Sequence, residues 1–170
     1  NLLNEFVAKS EVVSHTIDNV DVFTIVDNED RKNAYINYIH VKNGTINQSF
    51  TYEYKRKLEE TDEELLITAI PDIRERFKSK AKEIIVPFEM EWKIKDSEFF
   101  VPQRGDKKHL LELSEMNCKQ YKFDRLKQSE KLNPEQKQTR LMKELQNKLK
   151  LDKLPYQIEC FDNSNISGTD

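Results

Sequence analysis

The chain has 170 residues, 36% of them hydrophobic and 35% charged, with a net charge of −3. That length holds one sizeable domain and a smaller appendage, with a core drawn from clustered apolar segments. No apolar run approaches the roughly 18–20 residues of a membrane span, so no membrane partner is expected. Cys118 and Cys160 stand far apart without a CxxC companion, which excludes a zinc knuckle and a disulfide framework and favours reduced thiols in a cytoplasmic protein.

Residues 1–18 read as a weakly helical segment and an irregular connection. VDVFTIVDN (20–28), NAYINYIHVKNG (33–44) and TINQSFTYEYK (45–55) follow as β-rich runs. Asn43–Gly44 is a hairpin signal, because a type I′ turn needs positive φ at both central residues. In the second run Tyr35, Asn37, Ile39 and Val41 alternate with Ala34, Ile36, Tyr38 and His40. Thr61 or Asp62 caps a helix over 62–78, where Pro71 predicts a kink or a break. EIIVPF (83–88) and EFFVPQ (98–103) read as further strands. The order βββαββ gives an α/β sheet with an antiparallel half and a parallel extension. Two helices follow, over 108–131 and 135–151, broken at Asn133–Pro134.

Charge divides the chain. Residues 1–103 hold 14 Lys+Arg against 20 Asp+Glu, and residues 104–153 hold 14 against 8. Such asymmetry marks a candidate nucleic-acid-facing segment. In VPQRGDKKHLLEL, Arg104, Lys107 and Lys108 cluster at a helix N-terminus, where the dipole already favours an anion; a solvated loop is the plain alternative. In YQIECFDNSNISGTD, an apolar strand leads to Asp162, a position where a carboxylate can ligate metal or simply begin a turn. His15, His40 and His109 lack partners at a motif spacing and are expected to be structural or solvated.

Three strings and their order, VVSHTIDNVDVFTI, PQRGDKKHLLELSEMN and LPYQIECFDNSNISGTD, resemble the UvrC family, nuclease subunits of bacterial UvrABC nucleotide excision repair systems. The resemblance implies that residues 154–170 open an RNase H-like endonuclease domain that makes the 5′ incision with Mg²⁺ or Mn²⁺. Asp162 matches that domain's metal-binding catalytic aspartate. Asn163–Ser164–Asn165 stands where the family often has ISH, although NSN also occurs in it. The expected partners are UvrB and damaged double-stranded DNA. The family's 3′ nuclease has no counterpart here, and the other 5′ catalytic acids would lie beyond Asp170, so the chain is expected to be an inactive fragment with no bound metal.

The expected organisation is then a linker after the UvrB-binding motif (1–18) and a non-catalytic RNase H-like domain with a mixed sheet (19–103). A basic helical segment (104–153) and the first strand of a truncated second RNase H-like domain (154–170) complete it. Arg104, Lys107 and Lys108 are the candidates for phosphate or interdomain contact. The alternative function is a scaffold or DNA-binding module with no part in phosphodiester cleavage.

Overall fold

A computed structural model describes residues 16–28, 31–57, 59–157 and 159. Strands β1 (Val20–Asp27), β2 (Asn33–Lys42) and β3 (Thr45–Lys55) form an antiparallel meander. Asn43 and Gly44 turn β2 into β3 with φ of 52° and 71°, the two positive angles a type I′ turn demands. Helix α1 (Asp62–Phe77) carries the chain across to β4 (Glu83–Ile85), which pairs parallel to β1, and β5 (Glu98–Phe100) pairs parallel to β4. The resulting sheet has the order β3-β2-β1-β4-β5.

Helix α1 starts in a capping box: Thr61 Oγ1 accepts from the Glu64 N–H, and Glu64 accepts from the Thr61 N–H. Asp62, Glu63 and Glu64 place negative charge against the helix N-terminus. The helix runs unbroken through Pro71, contrary to a break there. Pro71 is exposed, while Leu65, Leu66, Ala69, Ile70 and Ile73 bury the opposite side. That packing holds the helix across the lost i−4 hydrogen bond.

The alternation in β2 builds two cores. Ala34, Ile36 and Tyr38 join Phe23, Ile84 and the buried residues of α1. Ile39 and Val41 join Val20, Val22, Ile85 and the first residues of α2 (Asp106–Leu132), Leu110 and Leu111. Each fully buried Leu, Ile or Phe here stabilises by about 1.5–3 kcal/mol. Both faces of the sheet are therefore covered, which explains why β2 is apolar on both sides. Arg56, its side chain 4% exposed, pairs with Asp27 at the end of β1 and Asp62 in α1. It ties the sheet to the start of the helix.

Strands β4 and β5 are three residues each, shorter than the runs at 83–88 and 98–103 suggest. The sheet unit also continues past residue 103, because α2 inserts into it. Ser114 Oγ lies 2.7 Å from Thr24 Oγ1 and 2.8 Å from Asn37 Oδ1, and Cys118 Sγ lies 3.3 Å from the Tyr35 carbonyl oxygen. These contacts set the register of α2 on β1 and β2.

The chain divides into two compact units, Asn1–Asp124 and Arg125–Asp170. In the second unit, α3 (Pro134–Leu149) begins with Pro134 in its first turn and ends at Lys150 with φ 52°. Arg140 pairs with Glu130 and Glu144. Leu141 and Leu149 are exposed, and no described side chain of α3 is buried.

Candidate functional site

A buried carboxylate occupies the start of the central strand. Asp21 on β1 is completely buried, so its charge must be compensated by the protein. Four elements converge on it. From β2, Tyr38 donates its hydroxyl to Oδ1 at 3.1 Å, and His40 Nδ1 lies 2.8 Å from the same oxygen. From the α1–β4 loop, the Ser79 hydroxyl reaches Oδ1 at 2.9 Å and Oδ2 at 2.7 Å. From α1, Arg74 Nε lies 3.1 Å from Oδ2. That last contact lies off the N–H axis and makes no hydrogen bond, so charge attraction dominates it.

Arg74 is itself committed elsewhere. Its Nη2 donates to the Ala81 carbonyl at 2.7 Å and to Ser97 Oγ at 3.0 Å. Burial, reinforced by the charge of Asp21, drives the Tyr38 phenol far above its ordinary pKa, so it remains a donor. Oδ1 thus faces Tyr38, His40 and Ser79, and Oδ2 faces Ser79 and the Arg74 cation, with the single Ser79 proton shared between the two oxygens.

A metal needs several oxygen ligands, and two-metal phosphodiester chemistry places its ions about 3.5–4 Å apart with several acids between them. Both Asp21 oxygens are buried and already face protein donors or the Arg74 cation. The other acid of the strand, Asp27, stands six residues on, about 20 Å away at the rise of a strand, and it is paired with Arg31 and Arg56. Among the described residues, no group of three or more His, Cys, Asp or Glu side chains could hold a metal ion. The residues around Asp21 do not fit a divalent cation; they fit a carboxylate that locks β1, β2, α1 and the loop before β4 together.

The residues singled out from sequence are dispersed in role. Helix α2 begins at Asp106, after Gly105 turns with φ +79°. Arg104 is exposed, and neither it nor Lys108 has a side-chain hydrogen bond or ion pair among the described residues. Lys107 differs: its ammonium is 2.7 Å from Glu83 Oε2 and 4.7 Å from the centre of the Phe100 ring. Asp162 lies outside the described residues, with Ile158, Cys160 and Phe161 of the expected strand. The Asp21 cluster is not legible in the sequence, where His40 stands only as a histidine without a partner at a motif spacing. The 19-residue separation of Asp21 and His40 spans a hairpin, and only the cross-strand register, which pairs the two, brings them together.

A meander, a crossing helix and two parallel strands in the order β3-β2-β1-β4-β5, with a buried polar cluster on the central strand, define an RNase H-like module with no assembled metal site among the described residues. Residues 19–125 match the model of the UvrC Ribonuclease H-like domain, and the chain belongs to that family. It is 61% identical over 169 residues to UvrABC system protein C of Bacteroides fragilis, covering 99% of this chain and 28% of that protein. Identity to the proteins of the same name is 59% in Bacteroides thetaiotaomicron and 52% in Porphyromonas gingivalis, with the same coverage. The chain therefore spans a little over a quarter of the length of these relatives. No solved structure matches it.

Proposed function

We propose that this chain is the non-catalytic RNase H-like segment of an excision nuclease subunit that incises damaged DNA on both sides of a lesion in nucleotide excision repair. It links recruitment by UvrB to the nuclease that makes the 5′ incision. The observation that carries this reading is the burial of Asp21 among Tyr38, His40, Ser79 and Arg74. A carboxylate so enclosed is structural, and the fold around it serves as a platform.

In the intact protein, Mg²⁺ or Mn²⁺ would supply charge stabilisation at the phosphodiester. Asp162 would contribute one carboxylate, together with acids that this chain does not supply. Arg104 and Lys108, free at the start of α2, would meet phosphate or a neighbouring domain, while Glu83 already engages Lys107. The setting is cytoplasmic. Among the described residues no helix is long and apolar enough to cross a membrane.

The test is incubation of this chain with a lesion-bearing duplex and either Mg²⁺ or Mn²⁺. No incision above the metal-and-buffer control is expected. Incision that Asp21→Asn removes would refute the platform reading.

A further inference from the structure

The segment 74–82, RERFKSKAK, carries five basic residues and one acid, inside the part of the chain (residues 1–103) where 20 acids face 14 bases. Two of the five have internal roles. Arg74 is held by Asp21, the Ala81 carbonyl and Ser97, and Arg76 lies over the rings of Tyr52 and Phe77 at 5.8 and 6.0 Å. The other three, Lys78, Lys80 and Lys82, are exposed and have no side-chain partner among the described residues.

Their exposure has a structural cause. Ser79 is turned inward to Asp21, and Ala81 is completely buried with its carbonyl oxygen accepting from Arg74 and Ser97. The alternation of inward Ser79 and Ala81 with outward Lys78, Lys80 and Lys82 fixes the loop in a ridge of three ammonium groups. The polar cluster on β1 is therefore the anchor of a basic loop.

A fourth lysine joins them. Val20 pairs with Val41 on β2 and with Glu83 on β4, so Lys42 and Lys82, next to those partners, flank the start of β1. Asn19 Nδ2 donates to the Lys80 carbonyl at 3.4 Å, and Asp18 accepts from the Asn43 N–H at 2.7 Å, which ties the hairpin turn and the lysine loop to one corner. Lys42 is exposed and likewise has no side-chain partner among the described residues. Of the acids nearby, Asp18 accepts that N–H and Glu83 pairs with Lys107, while Asp96 and Glu98 lie beside Lys82 and leave the Lys42, Lys78 and Lys80 side as the more basic one.

Helix-dipole complementarity accounts for Lys78, which caps α1, but its reach ends within the last turn. Lys42, Lys80 and Lys82 lie beyond it. Gathered like charges oppose one another unless a polyanion neutralises them. We infer that Lys42, Lys78, Lys80 and Lys82 form a contact surface for the phosphate backbone of duplex DNA, aimed by the buried Asp21, Ser79 and Arg74. The inference rests on the repair reading above only for the choice of polyanion. It places the DNA-facing surface at the corner of the sheet beside Asn19.

The experiment is fluorescence anisotropy of the 170-residue chain with a duplex oligonucleotide at several salt concentrations, with Lys78→Gln/Lys80→Gln/Lys82→Gln alongside. Each phosphate contact contributes about 0.9 to the slope of log affinity against log salt, so the triple variant should flatten the slope by about 2–3 and lose about tenfold or more in affinity at low salt. An unchanged unfolding midpoint shows that the fold is intact, since the three side chains are exposed. Unchanged slope and affinity in the triple variant would overturn the inference, as would absence of binding by the unaltered chain at low salt. The incision assay of the preceding subsection has a separate readout, so each reading can fail alone.

Discussion

Replacing Asp21 by Asn removes one negative charge and changes almost no volume. In the folded chain the substitution leaves the Arg74 guanidinium, its side chain 10% exposed, without a counter-charge. The Asn oxygen can still accept from Ser79 or Tyr38, so part of the hydrogen bonding survives. The uncompensated buried cation dominates, and breaking a buried pair in this way costs about 3–5 kcal/mol. For a chain of this size each kcal/mol lowers Tm by about 2–4 °C, so a drop on the order of 10 °C is expected. Urea titration followed by far-UV circular dichroism measures the change directly. The double variant Asp21→Asn/Arg74→Met should recover part of the loss, because no charge is then left buried alone. An acid poised to bind metal behaves in the opposite way: neutralising it relieves strain and is neutral or stabilising. Unchanged or raised stability in Asp21→Asn would refute the structural role assigned here.

Three further outcomes follow from the packing and the caps. Leu110→Ala should cost about 2–5 kcal/mol in chemical denaturation, because Leu110 is buried against the sheet; Leu149→Ala, at an exposed site, should cost under about 0.5 kcal/mol. Equal costs would contradict the insertion of α2 into the sheet unit. Burial pushes the Cys118 thiol up to about 12, so alkylation of the native chain near neutral pH, read by peptide mapping, should leave Cys118 unmodified until denaturant is added. Glu64 is held below its ordinary value of 4.5 by the Thr61 N–H and then by the Thr61 hydroxyl. A depressed carboxylate stabilises the fold above its unfolded pKa and loses that contribution as pH falls through the folded one. Glu64→Gln should therefore weaken the acid dependence of the urea midpoint between about pH 6 and about pH 3; an identical pH profile would argue against the capping box.

Much of the architecture is written locally. Asn43–Gly44 announces its hairpin because two positive φ angles are needed in succession, and the alternation in β2 announces two faces. Thr61 with Glu64 marks the start of α1. What the sequence hides is long-range. Asp21 meets Ser79, 58 residues away, only after α1 has crossed the sheet. Ser114 finds Thr24 across 90 residues, so the insertion of α2 into the core was not readable from its charged composition. Pro71 misled because local propensity omits the packing of Ile70 and Ile73 on either side of it. Lys107 stands beside Lys108 in the sequence, and only the placement of β4 brings Glu83 against it. The ridge of Lys78, Lys80 and Lys82 depends on Ser79 and Ala81 turning inward, which only the fold shows.

Asp21 is an anchor by its burial and partners, and Asp162 is the acid proposed for the chemistry. The direct measurement places this chain in the Bacteroides fragilis relative, in exchange for the corresponding 169 residues. Incision of a lesion duplex is then followed on both sides of the lesion at a temperature where each variant is folded. With Asp162→Asn the 5′ cut should vanish and the 3′ cut persist, whereas Asp21→Asn should retain both. Selective loss of the 5′ cut in Asp21→Asn, with Asp162→Asn still cutting, would contradict the account.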